Sequence, residues 1–533
     1  MLEMLEWVKK RLDEPTGSQS KGPAEEGLLP DLRAADPVTA LDELNGWLEP
    51  GRDTGAADPK SKSEFVARVQ EAGAAHVSAL FSQYLSSAEK RQAARDWAWK
   101  SLLEYQSRLT QAMGALAEAL LKTAEADATH VPAATLAAAR ALRECRTFAK
   151  ACHVHYSSVP RPLWSMAYAI HARAERTGCA TSPVNLHADH RTVATVEQEL
   201  LRLLLLQVCA PDMMAPEQIE TADRMLDRLG DFTLRPAGAT DNPFYFDPAG
   251  DAPPRRAAGS PAQPGPAARY FGPGLGFAAL ERVHKQWAAA RKPGEAKLFG
   301  ADIAPGAQSG TLQHLMLFWR AENPYLPPPH APASGSLKVI HGYEQIWSQL
   351  CAALPGAGGL SLADPNAAAP RAPETWTLCD AGGNELGTEL PQASGGWTKC
   401  GGLVGLQAPG GENWVGVIRR MHADSSLHAD LAVVSRRPLG VTLREVRENS
   451  EDSVFTEASS KQFGMSTVHA LILADGSDGA QPANFVLPPE SWKEGRVYEL
   501  QGEEPLRYLR GVQLVRRGDD YVRATFQWLP KPG

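Results

Sequence analysis

Apolar residues recur every three or four positions through the first half of the chain, which is the spacing of amphipathic helices. The first clear series follows Asp36-Pro37, and an aspartate followed by proline is typical of a helix start. The longest series runs from residue 88 to 124 and predicts the central helix of the core. Thr195 and Gln198 form a capping box for a later helix. Further helices are predicted near 132–158, 161–178, 195–210, 215–230 and 277–291.

Beyond residue 371 the helical period gives way to the alternation of apolar and polar residues that is typical of β-strands. Short strands are predicted at 375–379, 403–406, 414–420, 431–435, 470–473, 484–487, 496–500, 511–515 and 521–528. Many short strands at this spacing indicate a closed or nearly closed barrel. The chain is therefore predicted to be an α+β multidomain protein, with an N-terminal all-α helical region followed by a C-terminal β-barrel.

Stretches rich in proline, glycine and alanine divide the chain, because such segments cannot bury enough apolar surface to fold alone. The segment 246–271 is the most extreme of them and is predicted to be a linker. The predicted organisation is a short helix and flexible linker (1–35), a helical domain (36–245), a linker (246–271), a mixed or helical middle region (272–354), a second linker (355–371) and the barrel (372–533). The packing of the middle region is left open.

Net charge, cysteine content and the lack of long apolar runs limit the class of protein and its cellular location. The 533 residues carry a net charge of −8, which argues against a protein that coats nucleic acid. The 7 cysteines are scattered and form no C-x-x-C pair, as expected of reduced core residues. The sequence shows neither a signal peptide nor an apolar run that could span a bilayer, so we expect a cytoplasmic protein without a transmembrane segment.

Enzyme signatures are missing from the sequence, which lacks G-x-x-x-x-G-K-[ST], H-E-x-x-H and G-x-S-x-G. We therefore predict no catalytic residue and no enzymatic activity. The glycines at 272, 274 and 276 precede a helix, where a glycine-rich turn can hold phosphate, but no clear strand comes before them and a linker entering a helix explains them as well. The same sequence leaves open a metal site if the fold joined two polar clusters, Cys152, His153 and His155 with His187, Asp189 and His190. We favour core cysteine and hydrogen-bonded histidine there, with no bound metal or other cofactor.

Four arginine doublets are the remaining candidates for chemistry. Three lie in or beside predicted strands, and the fourth lies in the predicted linker: Arg419-Arg420, Arg436-Arg437, Arg516-Arg517 and Arg255-Arg256. In an alternating strand one member of each doublet faces outward, so exposed surface charge is the simpler interpretation. The alternative is convergence on a phosphate ligand, because guanidinium binds phosphate through two hydrogen bonds and stacks on flat bases.

Four segments of the β region together resemble the barrel of PilZ-type proteins, the bacterial receptors for cyclic di-GMP, in the proteobacterial group that has a long helical region before the barrel. The order and spacing of the segments carry the resemblance: Trp376-Thr-Leu-Cys-Asp380, Gly401-Gly-Leu-Val-Gly-Leu406, Trp414-Val-Gly-Val-Ile-Arg419 and Leu431-Ala-Val-Val-Ser435. The resemblance implies a PilZ-like barrel that binds cyclic di-GMP.

The family's ligand motifs are an R-x-x-x-R segment before the barrel and a D/N-x-S-x-x-G strand start. Asp380 occupies the D/N position, but Gly382 replaces the serine, Glu385 replaces the closing glycine, and Arg371 is the lone arginine nearby. A carboxylate beside phosphodiesters repels them unless it points away. The implied ligand-binding residues are Arg371, Asp380, Arg419, Arg420, Arg436 and Arg437.

The sequence thus favours a non-enzymatic signalling receptor or effector, with cyclic di-GMP as the expected ligand of the barrel and the helical region engaging a partner protein. The first alternative is a degenerate barrel that no longer binds nucleotide and acts as a scaffold or adaptor. The second is a metal-dependent enzyme of unrecognised type that uses the His187–His190 cluster with Cys152.

Overall fold

The computed structural model describes residues 32–49, 58–86, 98–186, 193–236, 242–258, 264–289, 305–322, 331–352, 372–391, 396–408, 410–446, 467–473, 483–501 and 507–529. The chain divides into two compact units, one of residues 1–326 with 422–425 and one of residues 327–421 with 426–533. The first unit is mainly helical and the second is mainly β-structure. The predicted order, helices first and β-structure afterwards, is confirmed.

Most helices of the first unit follow the predicted periodicity closely. The helices are α1 (Pro37–Trp47), α2 (Pro59–Ser86), α3 (Ala98–Ala126), α4 (Val131–Val154), α5 (Arg161–Arg176), α6 (Val196–Val208), α7 (Pro216–Arg228), α8 (Gly274–Ala289) and α9 (Pro305–Phe318). Of these, α9 lies in the middle region whose packing the sequence left open. The Asp36 carboxylate accepts the Val38 N–H at 3.1 Å, and Thr195 Oγ1 accepts the Gln198 N–H at 3.1 Å, so both predicted N-caps are confirmed. The predicted start of α3 near residue 88 lies outside the described residues.

The helices pack around one continuous apolar core, in which Trp99 of α3 and Trp164 of α5 are fully buried. Charged residues enter this core as a paired group between α4 and α7. Arg146 lies 3.0 Å from Asp223 and 2.6 Å from Asp227, and Lys150 lies 2.8 Å from Asp223. Burial alone would raise the pKa of Asp223, but the cations Lys150 and Arg146 hold it well below its usual value. The charge pairs therefore fix α7 against α4.

Glu144 on α4 is a buried acid whose burial raises its pKa from 4.5 to about 7, against the nearby arginines and the Gln70 hydrogen bond at 3.2 Å. The folded protein therefore favours the neutral form of Glu144. The contribution of this preference to the free energy of unfolding is fully present below pH 4.5 and is lost as pH rises to about 7. We expect Glu144→Gln to leave the free energy of unfolding nearly unchanged at pH 4.5 and to raise it by up to about 3 kcal/mol above pH 7.

Urea unfolding at a series of pH values measures this difference, with the exposed Glu71→Gln on α2 as the control. The variant must be compared with the parent chain at each pH, because two buried histidines also make the stability of the chain depend on pH. Burial lowers the pKa of His153 and of His314 to about 4, so the stability that the neutral histidines contribute is lost as pH falls below 6.5. A Glu144→Gln effect that does not vary with pH would contradict the assignment.

Among its described residues, the mainly helical first unit also contains two small sheets. A hairpin joins β1 (Val184–Asn185) to β2 (Val193–Ala194), and a four-stranded sheet has the order β3-β6-β4-β5. Its strands are β3 (Thr233–Arg235), β4 (Phe244–Phe246), β5 (Arg255–Arg256) and β6 (Arg269–Gly272). The aromatic residues of β4 and β6 are buried, and that burial gives these short strands a stability that their Pro- and Gly-rich surroundings do not indicate. The stretch 246–271, predicted as a linker, thus contributes β-strands to the first unit.

The doublet Arg255-Arg256 has a structural role in this sheet. The Arg256 guanidinium lies over the ring of Phe244, with 4.8 Å from Cζ to the ring centroid. Its nitrogens donate to the carbonyls of Phe318, Arg320, Ala321 and Glu322 at the carboxyl end of α9. A cation at a helix C-terminus satisfies carbonyls that have no partner inside the helix. Arg256 therefore ties the sheet to α9.

The second unit contains two closed barrels of six strands each, where the sequence predicted one barrel. The first has the order β10-β11-β12-β9-β8-β7, and the second has the order β13-β14-β15-β18-β17-β16. The strands of the first are β7 (Ala331–His341), β8 (Glu374–Gly382), β9 (Glu385–Glu389), β10 (Leu403–Gln407), β11 (Asn413–Ala423) and β12 (Leu427–Ser435). Those of the second are β13 (Pro438–Glu445), β14 (Thr467–Leu473), β15 (Ala483–Leu487), β16 (Val497–Leu500), β17 (Arg507–Arg517) and β18 (Val522–Leu529).

Strand β7 lies in a stretch that the sequence analysis assigned to the middle region. Its first half contains Pro332 and Gly335, and the pairing with β8 is irregular between these two residues. Proline and glycine weaken a strand pattern, and proline in sheets is confined to edges and bulges. The bulge explains how β7 accommodates both residues and still pairs with β8 and β10.

A helix, α10 (Tyr343–Ala352), follows β7 and packs against both barrels of this unit. Tyr343, Ile346 and Leu350 share one apolar cluster with residues of β10, β11, β14 and β15. The Tyr343 hydroxyl lies 2.8 Å from the His469 carbonyl and 3.0 Å from the Val486 carbonyl. The Trp347 indole N–H donates to the Val441 carbonyl at 2.9 Å. The helix therefore supplies the common core of the two barrels.

Candidate ligand site on the first barrel

The β8–β9 hairpin of the first barrel is where several of the candidate residues meet. Gly383 in its turn has φ +59°, a left-handed conformation that glycine adopts without strain. Asp380 on β8 pairs with Gly387 on β9, where any side chain would collide with the Asp380 carboxylate. The hairpin is held to β12 by the Val433 N–H, which donates to the Asn384 carbonyl at 2.7 Å. Its turn is therefore fixed relative to β11 and β12.

Arg419 on β11 reaches this hairpin through a charge pair. Its Nη1 lies 2.8 Å from Glu385 Oε1, and the Arg419 side chain is 39% exposed whereas that of Glu385 is 9% exposed. The Glu385 carboxylate thus points to the guanidinium of Arg419. Glu385, which replaces the closing glycine of the ligand motif, therefore offsets the positive charge of Arg419.

Arg436 reaches the same turn from the end of β12. Its Nη2 donates to the Gly383 carbonyl at 2.9 Å, and its Cζ lies 4.8 Å from the ring centroid of Trp414. The guanidinium is therefore stacked on an indole, an arrangement stabilised by cation–π attraction. Because Arg436 remains exposed, its outer face is accessible to a flat or anionic ligand.

The other candidate residues occupy different environments. Arg420 is half-buried on β11, and Arg437 is exposed after β12, with its backbone N–H donating to Ser435 Oγ at 3.2 Å. Arg371 lies outside the described residues. The structure therefore brings Asp380, Arg419 and Arg436 to one hairpin.

Sequence reasoning did not assign a ligand-site role to Trp414. A usable signal was present, because Trp414 begins one strand and Arg436 follows the next strand along the chain. Two adjacent antiparallel strands of similar length bring such ends together. The pairing of Trp414 with Arg436 could thus have been inferred once both strands were predicted.

The polar cluster at the end of α4 has an ordinary structural explanation. His155 stacks on Trp99 with 5.9 Å between ring centroids, and its Nδ1 lies 3.1 Å from Ser157 Oγ. Burial raises the pKa of the Cys152 thiol to about 12. Among the residues that the structure describes, no group of three or more His, Cys, Asp or Glu side chains is placed to hold a metal ion. His187, Asp189 and His190 lie outside those residues.

The glycines at 272, 274 and 276 lie where β6 leads into α8. Gly272 ends the strand β6, which the sequence analysis did not predict, and Gly274 and Gly276 lie in the first turn of α8. Gly274 has φ +50°, and a Cβ there would collide with the Asp231 carbonyl. Close backbone packing therefore accounts for Gly274 without a phosphate.

The described helices include none that is long and apolar enough to cross a membrane.

Residues 26–235 match a family model described as the N-terminal domain of the cyclic-di-GMP receptor FimW. The matched range extends from before α1 through β3, so the similarity lies in the helical unit. Searches of curated proteins and of solved structures found no match.

Proposed function

We propose that the chain is a non-enzymatic cytoplasmic receptor for cyclic di-GMP, with a PilZ-type first barrel that holds the ligand and a helical region that engages a partner protein. The observation that carries the proposal is the similarity of residues 26–235 to the N-terminal domain of a cyclic-di-GMP receptor. The arrangement of arginines at the β8–β9 hairpin is a second, independent support, because the ligand presents two phosphates and two guanines to be bound.

The two arginines differ in how readily they can serve a ligand. Arg419 is paired with the nearly buried Glu385, so a phosphate must compete with a carboxylate for it. Arg436 donates to the Gly383 carbonyl, is stacked on Trp414 and is exposed, so its guanidinium can stack on a guanine or donate to a phosphate. We therefore assign the main contact to Arg436 and a secondary one to Arg419.

Calorimetric titration of the full chain with cyclic di-GMP tests this proposal, with cyclic di-AMP as the control nucleotide. We expect Arg436→Met to weaken binding by about tenfold or more, since a charged hydrogen bond contributes about 1.5–3 kcal/mol. Arg507→Met is the matched control, because Arg507 also lies over a tryptophan, Trp528, at 5.6 Å, but on the second barrel. Glu385→Gln is expected to tighten binding, because it removes the carboxylate that competes for Arg419.

A scaffold or adaptor is the second candidate function, favoured by one observation. Both Arg419 and Arg436 are already bonded to the β8–β9 hairpin, so they stabilise the barrel without any ligand. A titration that produces no heat with the full chain and with Glu385→Gln, at concentrations where a micromolar Kd would be evident, would retire the ligand and favour the adaptor. Binding that Arg436→Met and Arg507→Met leave unchanged would move the ligand away from this hairpin.

A further inference from the structure

The second half of β17 has a strand neighbour on one side only, within the part of the chain that the structure describes. β16 is four residues long and pairs with Arg507–Arg510. Two backbone hydrogen bonds extend this contact to Gly511, from its N–H to the Arg496 carbonyl and from the Gly495 N–H to its own carbonyl. From Val512 to Arg517 the described pairing is with β18 alone. This half-strand, residues 512–517, is called the β17 edge below.

The β17 edge exposes apolar side chains. Val512, Leu514 and Val515 are 43%, 39% and 47% exposed, whereas Val522 and Ala524 on the paired strand β18 are fully buried. The pairing with β18 shifts register between Gly511 and Gln513 and again between Leu514 and Arg516. Bulges of this kind re-aim side chains at sheet edges. The exposed apolar groups are therefore concentrated along an open strand edge.

The charged side chains on β17 and β18 are all positive. β17 and β18 contain five arginines and no carboxylate: Arg507, Arg510, Arg516, Arg517 and Arg523. Arg516 and Arg523 are direct partners across the two strands, and like charges in opposite positions destabilise a sheet. The carboxylates of the intervening turn are engaged elsewhere, since Asp519 lies 2.5 Å from Lys399 and Asp520 accepts the Tyr343 N–H at 2.8 Å.

We propose that the β17 edge is a docking site for an extended acidic segment of a partner protein, which adds to the second barrel as a strand. The open backbone edge would supply hydrogen bonds, the exposed valines and leucine would contact apolar side chains, and Arg516 and Arg517 would pair with carboxylates. This site lies on the second barrel and does not depend on the nucleotide proposed for the first.

Other occupants fit the edge less well. A second copy of this chain that paired through the same edge would place arginines against arginines, which is repulsive. Nucleic acid would use the arginines but would leave the exposed apolar side chains and the backbone edge without partners. An acidic peptide in extended conformation uses all three features.

Fluorescence anisotropy of the full chain with a labelled peptide of alternating glutamate and valine tests the proposal. Three variations of the experiment define the mode of binding. A lysine–valine peptide tests charge, a glutamate–valine peptide that is N-methylated at the valines tests backbone pairing, and a single-stranded oligonucleotide of equal charge tests general anion binding. We expect the glutamate–valine peptide to bind about tenfold or more tightly than any of the three, because each of them lacks at least one of the recognised features.

The double variant Arg516→Glu with Arg517→Glu is expected to weaken peptide binding by about tenfold or more. Arg507→Glu is the matched control, because the strand is covered by β16 at that position. The double variant should keep the cyclic di-GMP titration of the parent chain, so a failure here is distinguishable from a failure of the proposed function. Equal binding of the N-methylated peptide or the oligonucleotide, no binding of the acidic peptide, or a dimer that the double variant disrupts would overturn the proposal.

Discussion

A fragment that begins at residue 327 is expected to fold into both barrels, whereas a fragment that begins at residue 372, where the strand pattern starts in the sequence, is expected to remain unfolded. The shorter fragment lacks β7, which closes the first barrel between β8 and β10. It also lacks α10, which contributes Tyr343, Ile346 and Leu350 to the core shared by the barrels. A folded domain is stable by only roughly 5–15 kcal/mol, so the loss of a barrel strand and of a core helix is expected to unfold the shorter fragment.

Urea unfolding followed by tryptophan fluorescence measures this difference between the two fragments. The longer fragment should unfold in a cooperative transition, and the shorter one should show none. The longer fragment with Tyr343→Phe serves as the control, since it keeps the packing of α10 and loses a hydroxyl near two carbonyls. A cooperative transition of the shorter fragment at the midpoint of the longer one would contradict the assignment of β7 and α10 to the barrels.

Arg146→Leu is expected to destabilise the full chain by about 3–5 kcal/mol, since breaking a buried charge pair leaves uncompensated charge in the core. Arg146 is 3% exposed at its side chain and lies within 3.0 Å of Asp223 and 2.6 Å of Asp227. Its removal leaves Asp223 with Lys150 as the described cation within 4 Å. Thermal or urea unfolding of the full chain measures this change, read from the unfolding transition of the helical unit.

The matched control is Arg143→Leu, one turn earlier on α4. Arg143 pairs with the same Asp227, at 3.5 Å, but its side chain is 21% exposed and the pair is only partly buried. A partly exposed pair contributes about 1 kcal/mol or less. Equal losses of stability in the two variants would show that burial does not determine how much the α4–α7 charge pairs contribute.

Nucleotide binding is best measured on the full chain and not on a fragment of the barrel. The hairpin that carries Arg419 and Arg436 belongs to a barrel that β7 closes, so a shortened barrel fragment would test a damaged site. The full chain is therefore the right material, and it also keeps the residues that match the cyclic-di-GMP receptor domain.

The sequence by itself determined most helices of the first unit and most strands of the second. The predicted helices at 161–178 and 215–230 correspond to α5 and α7 within a few residues, because apolar spacing and capping residues act locally. The strands around 403–406 and 431–435 were found for the same reason. Local patterning also identified the arginines that meet at the β8–β9 hairpin.

Only the tertiary structure decided how those elements close and which residues pair. β9 and β13 contain glycine and charged residues, so their local signal is weak, and they are strands because partners on both sides satisfy their backbones. The strands form two barrels and not one because of the way in which they pair with each other. Pairing between distant segments leaves no trace in a local sequence pattern. The same holds for the pairs Glu385–Arg419 and Asp223–Arg146, which the tertiary structure brings together although they lie far apart along the chain.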